Sequence, residues 1–64
     1  MADPTDAQID AGAIALFAAN NANGDIAYVE SRWPNYSDML KAPYLRWSRA
    51  VLIAALNIPD TQGA

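Results

Sequence analysis

The chain has 64 residues, 53% of them apolar, with seven acids, four bases, no cysteine and no histidine, giving a net charge of -3. That composition excludes a disulfide framework and the common zinc sites, and it is too apolar and too weakly charged for a disordered chain. The acidic balance argues against a general nucleic-acid binder. The length allows one small domain over 1–64. A domain of this size buries only about 60% of its unfolded surface, so a partner chain is the staple that remains.

The first helix has two candidate starts. Asp3 is a good N-cap with Pro4 at the first helical position and Asp6 as a first-turn acid, while Thr5 and Gln8 offer a capping box two residues later. The helix is expected from about Pro4 to Ala19 or Asn20, stopped by the cluster Asn20, Asn21, Asn23, Gly24. Ile9, Ala13, Leu16 and Phe17 share one stripe at helical spacing. Ala7, Ala11, Ala15 and Ala18 form a second, roughly opposite stripe. It is either plain helix propensity or a seam for self-association, where small residues let another backbone approach.

In the middle, Asn23-Gly24-Asp25 signals a turn, and Asp25 can cap a short helix carrying Ile26, Val29 and Trp33 at i, i+3, i+7. Trp33 precedes Pro34 and is expected outside the α region, so this helix should end near Arg32. No second strand candidate exists for it to pair with. Pro34-Asn35-Tyr36 reads as a bend, after which Ser37 caps the next turn. Pro43 either opens a new helix or sits inside one that begins at Ser37. That helix reaches about Asn57, with Pro59 and Gly63 beyond as stop signals. Leu40, Tyr44, Trp47, Val51 and Ala55 are expected on its inner face, widened by Leu52 and Leu56; Arg46, Arg49, Ala50, Ile53 and Asn57 lie opposite. Residues 58–64 are expected as a frayed tail. The fold class is therefore all-α: two long helices, antiparallel or crossing, with a short middle helix or turn. Leu16, Phe17, Trp33, Tyr44, Val51 and Leu52 are the expected core.

No secretory signal opens the sequence, and the apolar run Ala50–Leu56 is far too short for a ~30 Å hydrocarbon core at ~1.5 Å per residue. A cytoplasmic protein with no membrane partner is the expectation.

Catalytic chemistry has little to work with. Without histidine or cysteine there is no ordinary triad, thiolate or neutral-pH proton shuttle. Ser37 and Lys41 have the i, i+4 spacing of a Ser-Lys pair, but no oxyanion hole is marked beside them. Asp3, Asp6 and Asp10 lack the dense oxygen spacing of a calcium loop, and Asn21–Asp25 lacks a closing glutamate. No cofactor, no metal and no enzyme activity are expected.

Charge distribution says more than charge total. Residues 1–31 hold Asp3, Asp6, Asp10, Asp25 and Glu30 without a base, for -5, and residues 32–64 carry +2. Either the acidic helix pairs with the basic one, within a chain or across a homodimer, or the acids present themselves to a basic surface on a target. Tyr44 and Trp47 point away from Arg46 and Arg49, so they form no stacking platform for nucleic acid. Ile53 stands among polar neighbours and is a candidate interface anchor alongside the five acids.

The stretch Trp33–Leu52 resembles the C-terminal half of small hypothetical proteins of bacteriophages and prophages. Trp33, Leu40, Tyr44, Arg49, Ala50 and Leu52 carry the resemblance, and Ser48 departs from it where a small apolar residue is expected. The resemblance implies a phage accessory protein, a class whose short, acidic, cysteine-free members include anti-CRISPR inhibitors and DNA mimics. Two functions follow as expectations. One is an inhibitor or regulator of a host nucleic-acid-handling complex, binding through Asp3, Asp6, Asp10, Asp25, Glu30 and Ile53. The other is a structural or assembly subunit that self-associates.

Overall fold

A computed structural model describes residues 2–58. Three helices account for most of that span, with no strand among the described residues: α1 over Asp6–Asn21, α2 over Ile26–Arg32 and α3 over Asp38–Leu56. A 3-10 turn at Trp33–Asn35 links α2 to α3. The fold is all-α, as the periodicities predict. The expected tail beyond Ile58 lies outside the described residues.

Each helix begins at a side-chain cap. At α1 the capping box is realised: Thr5 Oγ1 accepts from Gln8 N–H at 3.1 Å, and Gln8 Oε1 accepts from Thr5 N–H at 2.9 Å. Two orphan amides are satisfied at once, which is why the helix starts at Asp6 and not at Pro4. Asp25 Oδ1 accepts from Tyr28 N–H at the start of α2, and Ser37 Oγ from Leu40 N–H at the start of α3. After α1, Asn23 and Gly24 both take positive φ (53° and 83°), curling the chain so that Gly24 N–H reaches Ala18 C=O at 2.9 Å.

Pro34 ends α2 because it has no N–H to continue the ladder, and Glu30 C=O accepts from Trp33 N–H instead. Trp33 nonetheless keeps αR angles, φ -54° and ψ -43°, against the pre-proline expectation. Its indole is buried in the core, and the chain tightens into a 3-10 turn closed by Tyr36 N–H on Trp33 C=O. Pro43 lies inside α3, so Asp38–Leu56 is one helix.

α1 and α3 run antiparallel, since their contacts pair in reverse order: Ala2 with Asn57, Ile9 with Ser48, Asn20 and Asn21 with Tyr44. Asn57 clips the ends together, its Oδ1 accepting from Ala2 N–H and its Nδ2 donating to the carbonyls of Ala2 and Ile53. α2 also packs against α1.

The core is Ala13, Ile14, Phe17, Ala18, Val29 and Trp33, with Ala22, Tyr36, Tyr44 and Leu45 packed against it. Phe17 is its hub, 5.0 Å from the Tyr36 and Tyr44 rings and 5.9 Å edge-on to Trp33. Phe17 and Trp33 are buried as expected. Leu16 and Val51 are not core residues. The inward face of α3 is turned by most of one residue's angular step, so that Tyr44, Leu45, Ser48 and Leu52 face α1 and the core. Leu40, Trp47, Val51 and Leu56, expected inside, are exposed.

Candidate functional site: an apolar groove between the long helices

The turn of α3 has a specific cause. Ser48 is the most deeply buried residue of that helix, 1% exposed, and its Oγ donates to Ile9 C=O at 2.8 Å. It sits against Gly12, where the two helices come closest; a β-carbon on Gly12 would collide with Ser48 Oγ. A glycine on α1 and a small hydroxyl on α3 therefore set the crossing point. With Ser48 pointing inward, Trp47 and Val51 are rotated to the flank.

The flank opens into a groove. Leu16, Ala19, Asn20, Tyr44 and Trp47 line one part, of about 430 Å³. Gly12, Ala15, Leu16, Ser48, Val51 and Leu52 line the next, of about 200 Å³. Leu16 is common to both. α1 contributes Gly12, Ala15 and Ala19 together with Leu16 and Asn20, and α3 contributes Tyr44, Trp47, Val51 and Leu52 beside Ser48. No charged side chain lines either part. Trp47 and Val51 are 51% and 59% exposed on its α3 lip, an unusual position for such large apolar groups in so small a protein.

One polar element closes the groove. Tyr44 OH accepts from Asn20 Nδ2 and Asn21 Nδ2, both at 3.0 Å, and these bonds hold the phenol below the ordinary tyrosine range. Asn21 Nδ2 also reaches Phe17 C=O. The Tyr44 ring is thereby fixed against Phe17 on one side and Trp47 on the other, 5.4 Å away.

The residues expected from sequence lie mostly elsewhere. Asp3, Asp6, Asp10, Asp25 and Glu30 are all exposed, but they are spread over the N-terminal segment, α1 and α2. Asp25 is engaged in capping α2. Among the described residues no three acidic side chains gather into a group that could hold a metal. Ile53 is half-buried and does not line the groove. The seam Ala7, Ala11, Ala15, Ala18 does not survive as one surface: Ala18 is fully buried in the monomer core, because α2 covers that side of α1. Ala15 lines the groove, and Ala7 and Ala11 are exposed.

Ser37 Oγ is occupied as the α3 cap, and Lys41 Nζ lies 5.6 Å over the Trp33 ring. Arg32 stacks on Tyr28 at 3.8 Å. No described helix is long and apolar enough to cross a membrane. Gly12 and Ser48 were missed by periodicity, and their signal was faint: a glycine inside an alanine-rich helix, and a serine within an apolar stripe.

Compared with known protein families, with curated proteins and with solved structures, the chain matches none of them. The functional reading rests on the groove and the charges around it.

Proposed function

We propose that the protein works by protein–protein contact, without chemistry of its own, as a small phage-type accessory or assembly subunit that engages its partner through the α1–α3 groove. The observation that carries this reading is the exposure of Trp47 and Val51 on an uncharged, apolar groove. Exposed aromatic anchors such as Trp47 are enriched at interface centres. The likeness of Trp33–Leu52 to small phage proteins supports the accessory class.

A second reading has one observation in its favour. Asp3, Asp6, Asp10 and Glu30 are exposed, and among the described residues their side chains accept no hydrogen bond, so they can face a basic surface. On that reading the protein regulates a nucleic-acid-handling complex in the manner of an anti-CRISPR inhibitor.

Site-specific photo-crosslinking in the native host separates the two. A crosslinking amino acid at position 47 should give discrete protein adducts, and one at position 6 should give none. Adducts from position 6 alone would transfer the function to the acids.

A further inference from the structure

Of the asparagines in the chain, Asn23 alone precedes a glycine; Asn20, Asn21, Asn35 and Asn57 stand before Asn21, Ala22, Tyr36 and Ile58. That pairing carries chemistry of its own. The carboxamide carbon of an asparagine can close a five-membered ring with the backbone nitrogen of the next residue, and a glycine there has no β-carbon to crowd the nitrogen. Asn23 is exposed and lines an open hollow with Asn21, Ala22, Asp25 and Tyr28, so water reaches it. Around Gly24 the space is open, since a β-carbon built there would meet nothing within 4 Å.

One bond holds the reaction back. Gly24 N–H donates to Ala18 C=O at 2.9 Å, a contact set up at the end of α1 by the positive φ of Asn23 and Gly24. A nitrogen engaged in that bond keeps its proton, and an amide nitrogen attacks only after losing it. It is freed when this turn opens, and helix ends open more readily than the core.

We propose that Asn23 is a site of self-modification, and that the closure of the α1 C-terminus on Ala18 sets its rate. With the turn open, hydroxide takes the Gly24 amide proton and the nitrogen attacks Asn23 Cγ. The new N–Cγ bond closes a succinimide ring as the Cγ–Nδ2 bond breaks, and Nδ2 leaves as ammonia with a proton drawn from water. Water then adds to one of the two ring carbonyls. Addition at Cγ leaves an aspartate; addition at the main-chain carbonyl leaves an isoaspartate, whose backbone runs through Cβ and Cγ. Either product adds a negative charge just beyond the C-terminal end of α1, where the helix dipole disfavours it. Isoaspartate also lengthens the main chain by one atom, and so loses the left-handed residue that aims Gly24 N–H at Ala18. The modification loosens the turn between α1 and α2.

The full chain, incubated at neutral and at mildly alkaline pH, is read by peptide-mapping mass spectrometry for the mass gain of amide-to-acid conversion. Conversion is expected at Asn23 ahead of Asn20, Asn21, Asn35 and Asn57, and faster at the higher pH. In guanidinium, where the turn is gone, it should run about 10- to 100-fold faster than in the folded chain. Gly24→Ala, compared in guanidinium so that folding plays no part, should slow it severalfold. Isoaspartyl chains, separated by ion exchange, should melt below the parent by circular dichroism. Equal rates in the folded and unfolded chains overturn the inference, as does first conversion at another asparagine. So do a folded chain with no product when the unfolded one has converted fully, an unslowed Gly24→Ala, and an unchanged melt.

Discussion

Ser48 Oγ occupies the space a side chain at Gly12 would need, and from there it donates to the carbonyl of Ile9. A glycine in the middle of a helix ordinarily weakens it by about 1 kcal/mol relative to alanine. At this crossing that cost purchases contact between the two longest helices. Gly12→Ala should therefore destabilise, by about 1–3 kcal/mol, the reverse of its effect on an open helix face. In a Ser48→Ala background the same substitution should cost less, because the colliding hydroxyl is gone. Urea unfolding of the four proteins in the cycle gives the coupling directly. Strict additivity would mean the helices part readily at this point.

Phe17 and Trp33 anchor the aromatic core, and truncating either to alanine should cost about 3–5 kcal/mol. That approaches the whole stability of a small domain, so neither variant should show a cooperative thermal transition. Val51→Ala, on an exposed position, should shift monomer stability by no more than about 0.5 kcal/mol. Melts followed by circular dichroism at low concentration distinguish the two classes.

The start of α1 can be located by mutation. Thr5→Ala removes the acceptor for Gln8 N–H and should cost about 1 kcal/mol. Asp3→Ala removes no cap and should stay within about 0.5 kcal/mol of the parent. Equal losses in urea titrations would place the functioning cap at Asp3.

Tyr44 should ionise below the ordinary tyrosine range in an ultraviolet absorbance titration, because hydrogen bonds from Asn20 and Asn21 favour its phenolate. A depressed folded-state pKa adds stability that is complete above the unfolded-state value and is lost as pH falls through the folded one. The fold should accordingly gain slightly on the way up through that alkaline range, and Tyr44→Phe should abolish the gain. Asn20→Ala with Asn21→Ala should return the Tyr44 phenol toward its ordinary range.

Helix existence and ends were legible in the sequence because caps and stops are local chemistry. Thr5 with Gln8, Asp25 and Ser37 each act within three residues of themselves, and the Asn-Gly turn needs only its own backbone. The α3 face was harder to read. Periodicity ranks residues by hydrophobicity, so it drew Trp47 and Val51 inward and left Ser48 as an anomaly. What decided the rotation was a single non-local relation, the fit of a hydroxyl between a glycine and a carbonyl 39 residues away in sequence. The alanine stripe failed for a similar reason: which side of α1 would be covered depended on where α2 came to rest.

α1 packs against both α2 and α3. Ala13, Ile14, Phe17 and Ala18 are thus shared property, each counted in the stability of whichever neighbour touches it. A fluctuation that frees α1 unroofs both other helices in the same instant, and neither retains an apolar surface large enough to stay folded by itself. Hydrogen exchange in such a molecule has little room for a ladder of partial openings. The slowest amides should be those of Ala13–Ala18, exchanging only as the whole chain opens.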